Sequence, residues 1–169
     1  MSGIATPRTR PPLATSTNLP SPPLALQVPL LDMYRFDQLL AGASWVGEYG
    51  KPADDWRYLQ RYSPYHNIAD AAEQSYPPIL FTTSTRDDRV HPGHARKMVH
   101  KLLEDGHGAT YYYENIEGGH GGAADNKQRA FMSTLAYDFF EQTLMNGALK
   151  DGSVGDVGAY EYAPAETIY

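Results

Sequence analysis

The stretch "YPPILFTTST", residues 76–85, constrains the fold more than any other. Within it Ile79–Thr83 is a continuous apolar and β-branched run with no polar alternation. A strand with one wet face alternates, whereas an unbroken run suits a strand buried on both faces, as in parallel sheets covered by helices. The flanking sequence agrees. "HPGHARKMVHKLLEDG", residues 91–106, reads as a helix: Pro92 sits near its first turn, Ala95, Met98, Val99, Leu102 and Leu103 form one face, and Gly106 stops it. "ATYYYENI" is a second strand, and Asp125–Met145 a long helix with Phe131, Leu135 and Phe139 on one side. Upstream, Leu24–Val28 suits a short buried strand. This alternation of strands and helices implies parallel strands joined by helical crossovers, an α/β sheet.

Between the first two strands, Asp32 or its neighbour is placed to open a helix through Tyr34, Phe36, Leu39 and Leu40. "GASWVGEYGKPADDW" is a Gly-rich loop, followed by a short helix near Asp55–Tyr62 that stops before Pro64. Residues 1–23 are rich in Pro, Thr and Ser with little surface worth burying, and are expected to be disordered. Residues 24–146 form the folded part. Residues 147–169 lack a helical period and are expected to be a flexible tail.

Composition narrows the functional classes. The net charge of −6 argues against nucleic acid, since no basic stripe would offset phosphate repulsion. With no Cys there is no disulfide framework, thiolate metal site or cysteine nucleophile. No apolar run approaches the ~20 residues needed to span a bilayer, and the N-terminus lacks the apolar region of a signal peptide, so a cytoplasmic location without membrane attachment is expected.

In open α/β sheets functional residues collect at the carboxyl ends of the strands. Two loops leave such ends here: "STRDDRVHP", with Asp87 and Asp88, and "EGGHGG", with His120. A carboxylate bonded to imidazole fixes its tautomer and stabilises the imidazolium formed in catalysis. Acid before base on consecutive strand ends is the order used by α/β-hydrolases, whose serine comes earlier in the chain. An N-capping Asp pair and an ordinary loop histidine fit the same spacing. Spacing alone leaves both open.

From about Leu26 to Leu144 the sequence resembles the C-terminal part of the catalytic domain of the prolyl oligopeptidase family of serine peptidases. The matching stretches are "PLLDM", "GASWVGEYG", "YSPYHN", "YPPILFTTSTRDDRVHPGHARK" and "IEGGHGG". The resemblance implies a partial α/β-hydrolase, with Asp87 as triad acid and His120 as base. It implies that Arg89 holds a substrate carbonyl, that Trp45 stacks on proline in the S1 pocket, and that Tyr49 and Val90 lie near that pocket. A flat indole suits a flat pyrrolidine, and a buried guanidinium supplies directed donors. From the residues alone, Trp45 is instead a core aromatic beside a glycine loop. Asp88 is expected to be structural, fixing its loop or capping the next helix. His91, His94 and Asp87 have the look of a metal cluster, but Pro92 and Gly93 shape a turn rather than a ligand-bearing face. The family pattern needs no metal, and no cofactor is expected. The basic residues of "HARKMVHK" are expected on a solvated helix face, and Tyr111–Tyr113 as strand residues.

One departure is serious. The family's nucleophile sits in a Gly-x-Ser-x-Gly elbow upstream of the region matching Leu26. Ser2, Ser16 and Ser21 lie among prolines and threonines without such glycines. Ser44 follows Gly42, yet Val46 stands where the second glycine belongs, so it is not expected to serve. The abrupt change of composition near Leu24 suggests that the first residues are translated out of frame. The resemblance implies the function of a serine endopeptidase cutting short proline-containing peptides after proline, in a chain expected to be inactive alone. Its implied partner is the missing N-terminal part of the enzyme. The rivals are a non-catalytic interaction or complementing fragment, and a zinc hydrolase built on His91 and His94.

Overall fold

In the computed structural model, residues 21–145 are described. The tail expected over 147–169 lies outside them, as does the disorder expected over 1–23 except at residues 21–23, which precede the first strand in irregular conformation. Among the described residues the sheet has three parallel strands in the order β1 (Leu24–Gln27), β2 (Ile79–Ser84), β3 (Thr110–Asn115). Leu24 stands opposite Ile79, and Ile79 opposite Thr110. The helices are α1 (Val46–Tyr49), α2 (Pro52–Leu59), α3 (Gly93–Glu104) and α4 (Asn126–Leu144).

The continuous apolar run becomes the central strand because every residue of β2 is buried. Side chains alternate across a sheet, so its two faces take different partners. Ile79 and Phe81 point with Leu26 and Tyr112 into a core closed by Met98, Val99 and Leu102 of α3. On the other face Tyr111 meets Phe139 edge-on at 5.7 Å between ring centroids, and Tyr113 meets Phe131 at 5.3 Å, which lays α4 across β3. Each fully buried large apolar side chain contributes about 1.5–3 kcal/mol, so Phe81 and Leu102, 0% and 1% exposed, are main supports of the α3 layer. The α3 stop is as expected: Gly106 has φ +87°, where only glycine rests without strain. Asp125 caps α4 by accepting from the Gln128 amide at 2.8 Å.

Several local expectations are corrected. β1 is not buried: it lies at the sheet edge, and of its four residues only Leu26 is even partly covered. It ends at Gln27 because Val28 takes φ +42°. No α-helix runs from Asp32 through Leu40. Leu39 is extended and Leu40 has φ +51°, which splits the segment into 3-10 turns at Phe36–Gln38 and Leu40–Trp45. The stretch expected as a Gly-rich loop holds α1, and α2 starts earlier than the helix expected near Asp55–Tyr62, with Pro52 at its first position, where the missing amide costs nothing. Leu103 is 40% exposed and does not belong to the buried face of α3. The basic face of α3 is only partly solvated, since Arg96 is bound to Glu114 and Lys97 to Asp32. A second small core, Met33, Phe36 and Leu59, anchors the segment before β2.

Candidate active site

Two loops leave the carboxyl ends of β2 and β3, and their side chains meet. Asp87 has a fully buried side chain, yet it is well paired. One carboxylate oxygen accepts the backbone amides of Arg89 and Val90, both at 2.9 Å. His120 Nδ1 lies 3.1 and 3.0 Å from the two oxygens. A carboxylate can only accept, so Nδ1 carries the proton. The lone pair of the neutral ring then resides on Nε2, on a side chain 39% exposed. Such a ring can take a proton from an incoming hydroxyl while the buried carboxylate stabilises the resulting imidazolium.

The His120 loop is shaped by Asn115 at the end of β3. Its Oδ1 accepts the amides of Glu117 (3.0 Å) and Gly118 (3.3 Å). Its Nδ2 donates to the Gly122 carbonyl and to Gln128, both at 2.8 Å. Ser84, at the end of β2, donates to the same Gly122 carbonyl at 3.2 Å. Gly118 and Gly122 approach so closely that a Cβ on Gly118 would lie 2.4 Å from the Gly122 oxygen. Neither Asn115 nor Ser84 was singled out from sequence. The available signal was an Asn at a strand end before a glycine pair, a turn-forming position.

The other expected site residues divide. Val90 is buried beside Asp87. Arg89 is exposed rather than buried, because its backbone and not its side chain is tied into the loop. Its carbonyl accepts the Ala41 amide at 3.3 Å, joining the Asp87 loop to the segment that carries Trp45 and Tyr49. Trp45 is half-buried against the small core of Met33, Phe36 and Leu59, and Tyr49 stacks edge-on against Phe36 at 5.7 Å. Gly42 in that segment has no room for a side chain, since a Cβ would fall 1.6 Å from the Phe36 carbonyl oxygen. Ser44 spends its hydroxyl on the Ala41 carbonyl at 2.6 Å. Asp88 is exposed and does not cap α3, whose N-cap position is taken by Pro92 with no side-chain bond.

His91 and His94 do not converge with Asp87. His91 Nδ1 accepts the Gly93 amide at 2.9 Å, and His94 Nδ1 accepts the Asp32 amide at 3.1 Å. Burial holds His94 down at about 4. On β3, burial alone would raise the Glu114 carboxyl, but hydrogen bonds from Arg96, Thr85 and Tyr112 outweigh it and bring it to about 2.

Residues 24–147 match the sequence profile of the prolyl oligopeptidase family. The chain belongs to the prolyl oligopeptidase family. A Sinorhizobium fredii protein known only as an uncharacterized peptidase is 50% identical over 125 residues, 73% of this chain and 17% of the relative. A prolyl endopeptidase of Elizabethkingia meningoseptica is 41% identical over 78 residues, 44% of this chain and 11% of the relative. The structure of a post-proline cleaving enzyme from Rickettsia typhi superposes with a TM-score of 0.68 at 38% identity, covering 72% of this chain and 18% of that one. The chain therefore spans less than a fifth of each of these family members. Its three-stranded sheet with flanking helices is part of the prolyl oligopeptidase α/β-hydrolase domain.

Proposed function

We propose that this chain supplies the acid–base arm and part of the substrate pocket of a serine endopeptidase that cleaves short peptides after proline. The observation that carries the reading is the bond between the buried Asp87 carboxylate and His120 Nδ1. With family membership, it favours a triad from which the serine is supplied elsewhere. His120 deprotonates that serine and then protonates the leaving amine, while Asp87 holds the tautomer. Arg89 is read as the donor to a substrate carbonyl, and Trp45, Tyr49 and Val90 as the proline pocket. Support comes from the Ala41–Arg89 bond between the two loops and from the relatives' post-proline specificity. The sequence has no Gly-x-Ser-x-Gly segment, so the chain alone is proposed to be inactive.

Two measurements test this. First, the purified chain is treated with a fluorophosphonate and its intact mass read. No adduct is expected, and an adduct lost in His120→Ala would mean that a serine of this chain, with Ser44 the first suspect, is activated, and would overturn the reading. Second, residues 24–147 are exchanged into a whole prolyl endopeptidase. The chimera is expected to cleave after proline, and His120→Ala in it to lower kcat by a factor on the order of 10⁶. A folded chimera indifferent to that substitution would sink the assignment.

A second reading, that the chain is a complementing partner for a nucleophile-bearing piece, is favoured by the exposed edge strand β1. Beside it runs a groove of about 410 Å³ between Ala25, Gln27, Leu80 and Thr82 of the sheet and Met132 and Ser133 of α4. Unpaired strand edges and uncovered faces recruit partners. Co-expression with the upstream part of a relative's catalytic domain tests it: co-purification with recovered cleavage is expected, and separate elution rejects it.

A further inference from the structure

Outside the Asp87–His120 pair, buried polar side chains gather around Leu31–Met33, the residues through which the chain passes from β1 to the Trp45 segment. Asp32 and His94 are 1% and 2% exposed. The Asp32 amide donates to His94 Nδ1 at 3.1 Å. The Asp32 carboxylate accepts from the Tyr34 amide, Arg35 and Lys97. Ser63 accepts the Met33 amide at 3.1 Å, and the Leu31 carbonyl accepts the Tyr65 amide at 3.1 Å. Three consecutive residues thus have their backbone groups held from two sides, Asp32 by α3 and Leu31 and Met33 by the 3-10 turn at Pro64–Asn67 and its cap Ser63.

His94 is the member that spans the two halves of the site. It lies in the first turn of α3, directly after the loop bearing Asp87, Arg89 and Val90. Its partner Asp32 leads into the segment bearing Trp45 and Tyr49. The Asp32–His94 bond ties these loops at their base, while the Ala41–Arg89 bond ties them at 3.3 Å further along. We propose that His94 is a positioning residue: as a neutral ring accepting the Asp32 amide, it keeps the Trp45 segment in register with the Asp87 loop, and its protonation releases that coupling.

The chemistry is a clash of donors. Once Nδ1 is protonated, two N–H groups face each other at hydrogen-bond distance in a buried site. The charged groups facing His94 are Asp32 from the segment after β1, His91 before α3 and Lys97 on α3. Arg35 and His66 stand behind Asp32. Burial disfavours a cation on the ring most, the Asp32 carboxylate opposes that, and His91 and Lys97 add to the disfavour. The importance of the coupling rests on the peptidase reading above, but its test reads loop geometry and not cleavage, so the two can fail separately.

The experiment uses the full chain labelled for NMR, following the Trp45 indole N–H and the Ala41 amide. His94→Ala and His94→Phe are expected to displace the Trp45 signal at pH 7 and to speed Ala41 exchange about tenfold, while the Gly122 amide in the other half keeps its protection. His94→Asn restores an acceptor near the Nδ1 position without a titrating ring. It is expected to return both signals to their wild-type places and to remove the drift that the wild type shows as the pH falls from 7 towards 4. Folded His94→Phe with both probes unmoved would overturn the proposal. If neither His94→Ala nor His94→Phe folds, the comparison of His94→Asn with wild type across pH still decides, and identical drift in the two rejects it.

Discussion

His120 Nδ1 sits 3.0 and 3.1 Å from the two oxygens of a carboxylate, that of Asp87, whose side chain is wholly withdrawn from solvent. The same carboxylate satisfies the Arg89 and Val90 amides. The acid therefore orients the imidazole and also folds its own loop.

Removing it has a cost separate from catalysis. Asp87→Ala is expected to destabilise the chain by about 2–3 kcal/mol, because it leaves the two amides and the ring nitrogen without an acceptor. Asp87→Asn keeps an acceptor and should cost clearly less. Urea unfolding of both variants checks the order. Equal midpoints would mean that the loop does not depend on the carboxylate.

Asn115 makes an analogous claim on the His120 loop. Asn115→Ala loses all four of its bonds and is expected to cost roughly 1–3 kcal/mol, with hydrogen exchange rising first in residues 117–122. Asn115→Asp keeps the turn to Glu117 and Gly118 but turns an acceptor towards the Gly122 carbonyl. It should unpin Gly122 while residues 117–118 stay protected.

Acid should weaken the fold in two stages. Burial lowers His94 to about 4 and also lowers His66. A histidine depressed in the folded state contributes fully above its unfolded value, near pH 6.5, and the contribution is lost as pH falls towards 4. For His94 the loss is roughly 3 kcal/mol. Glu114, held at about 2, contributes above its ordinary range near 4.5 and is lost only below that, towards 2. Denaturant midpoints measured from pH 7 to 3 should fall in that order, and His94→Asn should remove the His94 share of the first stage and leave that of His66.

Arg96 grips Glu114 through two nitrogens, at 2.9 and 2.5 Å. A lysine cannot reproduce that fork. Arg96→Lys is expected to destabilise by about 1–2 kcal/mol, and Arg96→Ala by more, since it leaves a partly buried carboxylate without a cation, held only by Thr85 and Tyr112. Thermal melts at pH 7 compare them.

What local chemistry determines was legible in the residues. The unbroken run Ile79–Thr83 can be satisfied only by burial on both faces, which made it the central parallel strand. The 3.6-residue spacing of Ala95, Met98, Val99 and Leu102 set the buried face of α3, and Gly106 its end. Asp87 and His120 were legible as candidates because each follows a strand end. Contacts distant in sequence were decided only in three dimensions. The edge position of β1 depends on which strands pair, and the break at Leu40 on how Gly42 packs against the Phe36 carbonyl. The Asp32–His94 bond joins residues 62 positions apart, so no local pattern announces it. Residue type and period reveal what a segment must bury or turn, whereas hydrogen bonds between loops depend on where the whole sheet carries them.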